Sequence, residues 1–175
     1  MLRYLFILTL VVFSNTAFNL SSSAQIKWMT AGEITAAYAK EPRPILIDLY
    51  TDWCGWCKRM DKATYADPRV VAYINTKYYA MKYNAESKQP VEFNNRKFAF
   101  VPEYRANEFA VYLTGGKLQY PTTVFLSSPS APPAPLAGYL VPKDIEGPLK
   151  FFGEKQQSKM TYPNFMKSLK PEWTK

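Results

Sequence analysis

The sequence predicts an α/β domain in which helices cover both faces of a central β-sheet. Three observations carry this expectation. Residues 44–51, Pro-Ile-Leu-Ile-Asp-Leu-Tyr-Thr, are almost continuously apolar and rich in strand formers, the pattern of a strand buried on both sides. Further strand-like runs, 78–84 and 120–126, alternate with segments that carry helix-start signals. The chain has 175 residues, 47% of them apolar and 21% charged, enough for one domain with an ample core.

The chain opens with a segment that reads as an export signal. Arg3 supplies a positive start, Leu5 to Phe13 is apolar apart from Thr9, and Ser22-Ser23-Ala24 offers small residues for cleavage. Cleavage after Ala24 would leave Gln25 first. The apolar run is short for a membrane span and polar Ser14, Asn15 and Thr16 follow it; an uncleaved anchor is the alternative. No cysteine lies near the cleavage point, which excludes lipid attachment there. The expected mature unit is 25–175, delivered to the periplasm or secreted, where disulfide chemistry is active.

Ile26-Lys27-Trp28 is a short candidate strand. Thr30 and Glu33 form a capping-box pattern, so a helix should run from there to about Lys40 and stop at Glu41-Pro42-Arg43-Pro44. The strand at 44–51 follows, then a helix from Cys54 through Met60. Asp67-Pro68 starts another helix, with Asp as N-cap and Pro in the first turn. Residues 87–118 read as an insertion. Val91-Glu92-Phe93 and Arg96 to Val101 flank Asn94-Asn95, a pair suited to the positive φ values of a tight hairpin turn. A helix should follow, from about Glu103 or Asn107 to Leu113, capped by Gly115-Gly116. The hairpin should cover a sheet edge; shaping access to substrate is its other candidate role. Ser127 to Pro135 reads as a loop, Leu136 to Val141 as an edge strand with a bulge at Gly138, and Lys143 onward as an amphipathic helix. A short helix from Tyr162 to about Leu169 precedes a tail, 170–175, expected to fray.

The net charge is +8, but Lys and Arg are scattered and no run of five basic residues occurs. A solvated basic surface is therefore expected, with no nucleic-acid partner. Such a surface still favours acidic partners or anionic membrane surfaces weakly.

The chemistry concentrates in Trp53-Cys54-Gly55-Trp56-Cys57-Lys58, which holds both cysteines of the chain. A first cysteine at a helix N-terminus meets unpaired N–H groups and the positive end of the helix dipole. Both favour thiolate, which lowers the pKa from about 8.5 toward about 7 or below. Thiolate is the nucleophile of disulfide exchange, so Cys54 is the candidate attacking residue and Cys57 the resolving one. Lys58 adds a positive charge nearby. The alternatives are a structural disulfide, which so small a loop makes weakly stabilising, and half of a metal site. A closed zinc site needs four ligands, and the chain has no other Cys and no His. Asp48 is the one charge in the buried run. It either accepts from a backbone donor or takes a proton beneath the cysteines.

The run Ile47-Asp48-Leu49-Tyr50-Thr51-Asp52-Trp53-Cys54-Gly55-Trp56-Cys57-Lys58 resembles the active-site strand and helix start of the thioredoxin family. The likeness covers most of 26–170, and the W-C-G-W-C-K form is similar to exported bacterial members. Trp56 departs from the proline common in cytosolic thioredoxins. The resemblance implies a thioredoxin fold with a central mixed sheet and a hairpin insertion before a cis-proline loop. It makes Tyr120-Pro121-Thr122 that loop, with Tyr120 and Pro121 touching an extended substrate and Pro121 keeping stray metal from the thiols. It pairs Lys82 with Asp48 behind the cysteines; an exposed strand lysine is the other reading. Trp53 and Trp56 would shield and shape the site.

The resemblance thereby implies an exported thiol:disulfide oxidoreductase with a reversible Cys54–Cys57 disulfide and no metal, nucleotide or flavin. Reductase direction is favoured by Asp48 and by the lack of His between the cysteines. Such a protein would act on protein thiols and disulfides as a monomer, with a membrane thiol-transfer protein as electron donor. A non-catalytic peptide-binding module with a static disulfide is the alternative. Disulfide isomerisation is a third, disfavoured because no dimerisation segment is visible.

Overall fold

A computed structural model describes residues 25–174. The proposed signal segment, 1–24, lies outside the described residues. Helix α1 (Ala31–Lys40) opens with the capping box: Glu33 N–H donates to Thr30 Oγ1, and the Glu33 carboxylate accepts from Thr30 N–H. Strand β1 (Ile45–Tyr50) is buried almost throughout. Helix α2 (Gly55–Ala63) and helix α3 (Pro68–Lys77) follow, the latter capped by Asp67, which accepts from Arg69 and Val70 N–H. Strand β2 (Tyr79–Asn84) returns parallel to β1, with Asp48 opposite Lys82.

The insertion then folds as β3 (Val91–Phe93), β4 (Arg96–Phe98), β5 (Phe100–Val101), β6 (Ala106–Asn107) and α4 (Glu108–Thr114). Asn94 and Asn95 take φ of 51° and 59°, as a tight hairpin turn requires. The strand expected from Arg96 to Val101 is broken at Ala99. That residue instead exchanges hydrogen bonds with Glu108 at the start of α4, receiving one at its carbonyl and donating to the carboxylate. The hairpin does not simply edge the sheet. Phe93 and Phe98 are buried, with ring centroids 5.2 and 5.1 Å from Phe109 of α4, and they extend the core on one face.

Strand β7 (Thr122–Leu126) pairs antiparallel with β1, and β8 (Ala134–Ala137) pairs antiparallel with β7. The central sheet is therefore mixed, four-stranded, in the order β2-β1-β7-β8. The edge strand lies earlier than the expected 136–141 and includes Pro135, which an edge position tolerates. Gly138 follows the strand with φ of +104° and is not a bulge within it; its N–H donates to Pro121 O at 2.8 Å. The candidate strand at 26–28 is reduced to one bridge, Trp28 to Ala80.

Helix α5 (Pro142–Gly153) and helix α6 (Tyr162–Ser168) follow. Ile45, Ile47 and Leu49 face α1, α4 and the hairpin. Leu46 faces the opposite core, built with α2, α3 and α5. Alternation along β1 puts Asp48 on the side of Leu46, toward α2. Within the tail, expected to fray, the described residues Glu172 and Trp173 are instead anchored. Trp173 is 6% exposed, packs edge-on to Tyr73, and donates its backbone N–H to the buried Glu146 carboxylate, which also accepts from the Glu172 backbone N–H. These two bonds to Glu146 and one buried indole hold Glu172 and Trp173 against the α3–α5 core. Among the described residues, no helix is long and apolar enough to cross a membrane.

Candidate active site

The end of β1 delivers the chain into α2 through Thr51, Asp52 and Trp53. Cys54 is the N-cap of α2, with extended backbone, and its Sγ accepts the Cys57 N–H at 3.0 Å. The first sulfur thus occupies the position where orphan helix N–H groups point. Cys54 and Cys57 are joined by a disulfide, with Cα atoms 5.3 Å apart, and both residues are buried.

Behind the pair lies a polar group on the α2 face of the sheet. Asp48 is 2% exposed, and Lys82 Nζ lies 2.8 Å from its Oδ2. Lys82 also bonds the Asp61 carboxylate, on α2 one turn past Cys57. Burial pushes Asp48 up to about 6, against the opposing pull of the Lys82 charge. Burial alone would lower the Lys82 ammonium, but the Asp48 and Asp61 carboxylates outweigh it and raise it. Tyr65 hydroxyl, 2.9 Å from Thr123 Oγ1, lies in the same buried group, and Thr123 sits opposite Asp48 in the β1–β7 register. Burial and the Asp48 charge push Tyr65 well up, so it stays a protonated hydroxyl.

In front, the two tryptophans are exposed, Trp53 by 68% and Trp56 by 56%. Each is nonetheless positioned. Trp53 Nε1 donates to Glu86 Oε1 at 2.9 Å and its ring meets Tyr120 edge-on. Asn84 links this corner by donating to Asp52 and accepting from Glu86 N–H. Trp56 packs on Tyr139, and Arg59 lies over both rings. The Tyr120–Pro121 peptide is cis. Tyr120 stands beside Trp53, and burial and the Glu86 charge push its hydroxyl up to about 12. An open cleft of about 570 Å³ runs here between Trp53, Tyr120, Leu118 and the insertion residues Tyr104 and Arg105.

The sequence points to Asp48, Trp53, Cys54, Trp56, Cys57, Lys82, Tyr120 and Pro121. Cys54 and Cys57 form the disulfide; Asp48 and Lys82 pair; Trp53 meets Tyr120, and Trp56 meets Tyr139. Asp61, Glu86, Tyr104, Arg105 and Tyr139 join the site only in the structure. Asp61 carries a usable signal, since four residues from Cys57 places it on the same helix face. The others depend on contacts distant in sequence.

The Thioredox_DsbH family model, described as "Protein of unknown function, DUF255", matches residues 14–169. Over 43 residues the chain is 42% identical to the thiol:disulfide interchange protein DsbD of Pectobacterium atrosepticum, and over 47 residues 43% identical to that of Escherichia coli K12. These alignments cover 25% and 26% of this chain but only 8% of each relative, so the chain corresponds to a small part of those proteins. Among solved structures, one described as "DsbH Oxidoreductase" superposes with TM-score 0.53 at 13% identity, covering 75% of this chain and 87% of that one. A thioredoxin-fold protein from Helicobacter pylori gives 0.54 at 18% identity, covering 73% and 80%. A thioredoxin from Thermus thermophilus gives 0.52 at 16%, covering 72% and 85%. At these identities the superpositions establish the thioredoxin fold. The family match spans most of the sequence, the cysteine pair included, and the chain belongs to the Thioredox_DsbH family.

Proposed function

We propose that this chain is an exported thiol:disulfide oxidoreductase that reduces protein disulfides. The observation that carries the reading is the position of Cys54: N-cap of α2, disulfide-bonded to Cys57, its sulfur on the Cys57 N–H. In the dithiol form the Cys54 thiolate attacks a substrate disulfide. One S–S bond forms to Cys54 while the substrate's breaks, and one substrate sulfur leaves as thiolate. Cys57 then gives up its proton and attacks Cys54 Sγ, releasing the second substrate thiolate. The substrate gains two electrons and the protein ends with the Cys54–Cys57 disulfide. Asp48, paired with Lys82 on the α2 side of the sheet, is the acceptor for the Cys57 proton.

Several features support the finer points. The buried Asp48 and the lack of His between the cysteines favour a reductant. The Arg3-to-Ala24 pattern favours export. The relatives' name, thiol:disulfide interchange protein, favours a thiol donor that resets the pair, and a membrane thiol-transfer protein can carry electrons to an exported domain. Trp53, Tyr120, Pro121 and the cleft beside Tyr104 are the surface for an extended substrate; Trp56 shields the disulfide. The protein works as a monomer and needs no metal, nucleotide or flavin.

The test is reduction of a disulfide-bonded protein by the dithiol form, alongside a Cys54→Ser/Cys57→Ser variant. Exchange should vanish in the variant while peptide binding remains. Equal binding and no exchange by either protein would leave a binding module with a static bridge.

A further inference from the structure

The exposed side of α2 carries a groove of about 410 Å³ lined by Gly55, Lys58, Arg59, Lys62 and Ala63, directly after Cys54 in the chain. Its charges are all of one sign. Asp61 is the only acid in α2 and bonds Lys82. Among the described residues, Lys58, Arg59 and Lys62 form no ion pair; Arg59 rests only on the Trp56 and Tyr139 rings.

Lys62, in the last turn, suits the helix dipole, but the rest of this arrangement runs against the helix's own stability. Lys58 and Lys62 are an i,i+4 pair and Arg59 and Lys62 an i,i+3 pair, both like-charged and mutually repelling. Lys58 is the fourth residue of α2, in the half where the macrodipole disfavours cations, and the first turn has no acid. Repulsion that folding does not relieve is relieved by a partner that brings carboxylates. Any protein whose sulfur reaches Cys54 also approaches this helix start, and charge complementarity across such a contact speeds encounter and selects the partner.

We propose that this basic face of α2 is the docking surface for a protein redox partner with Asp and Glu residues flanking its reactive cysteine. The proposal rests on the oxidoreductase reading above and adds the chemistry of the partner.

The test uses two synthetic disulfide peptides that differ only in flanking residues, Asp/Glu in one and Asn/Gln in the other. The rate ratio of acidic to neutral peptide is read with the reduced protein. A ratio of about ten is expected at low ionic strength. It should fall toward about one near 1 M salt, where screening shortens to about 3 Å. Arg59→Gln/Lys62→Gln should cut the low-salt ratio at least about threefold. The ratio cancels any general effect of these cations on the Cys54 thiolate. A ratio near one in the parent, or one unaltered by the double variant, overturns the proposal. The same peptides are titrated against Cys54→Ser/Cys57→Ser protein. Acidic preference there without any exchange by the parent sinks the oxidoreductase reading but keeps the docking face; no preference there sinks the docking face. Cosedimentation with phosphatidylglycerol vesicles that is lost in Arg59→Gln/Lys62→Gln, with no peptide preference, would assign the face to a membrane and overturn the proposal.

Discussion

Lys82 stands opposite Asp48 in the parallel β1–β2 register, and its Nζ lies 2.8 Å from Asp48 Oδ2. The carboxylate is almost fully buried, and burial pushes it up to about 6. Its unfolded value is about 3.9. Between those values the folded state binds more protons than the unfolded chain. The ionised Asp48 therefore costs stability, fully above about pH 6 and not at all below about pH 4. Asp48→Asn should stabilise the protein by about 1–3 kcal/mol at pH 7.5 and by about zero at pH 4, read by urea unfolding. The same variant should slow resolution of the mixed disulfide by about tenfold to a hundredfold. An equal stability change at both pH values would remove Asp48 as a titrating group.

The two cysteines should fail differently when replaced singly. Cys57→Ser leaves the attacking sulfur without its resolving partner, so it should accumulate a mixed disulfide with a substrate protein. Cys54→Ser should form little or none. Mass spectrometry of unreduced mixtures distinguishes them, and a stable adduct on Cys57 would reverse the assignment.

Tyr104 tests the insertion. It is exposed and lines the cleft beside Trp53 and Tyr120. Tyr104→Ala should raise KM for a disulfide peptide by about threefold to tenfold, on the scale of one partly buried aromatic contact. Reduction of a small disulfide such as hydroxyethyl disulfide should change far less. Equal losses on both would mean that Tyr104 supports the fold and not the groove.

Trp173 tests the chain end. Its indole lies in the core with Tyr73, and its backbone N–H, which the substitution keeps, donates to Glu146. Trp173→Ala should cost about 2–4 kcal/mol in urea unfolding. A change below about 0.5 kcal/mol would match a surface residue and contradict the docked tail.

Local signals made much of this structure legible. Thr30 and Glu33, Asp67-Pro68, Asn94-Asn95 and the apolar run of β1 each announce their own geometry within a few residues. So does Cys54 at a helix start. What stayed hidden is non-local. Trp173 reads as tail until Glu146, 27 residues earlier, supplies its acceptor. Pro135 reads as loop because its tolerance as a strand residue depends on lying at the sheet edge. The break at Ala99 arises from a hydrogen bond to Glu108 that no strand pattern encodes. Asp61 falls between these cases: helical spacing from Cys57 sets its face, but only the position of β2 brings Lys82 to it.

The most direct test of the central claim is the reduction potential of the Cys54–Cys57 pair in residues 25–175, set by equilibration with dithiothreitol. The account predicts a value near about −270 mV, where the dithiol is a competent reductant. A value near about −120 mV would make the protein an oxidant, and resistance to reduction below about −300 mV would make the disulfide a structural bridge.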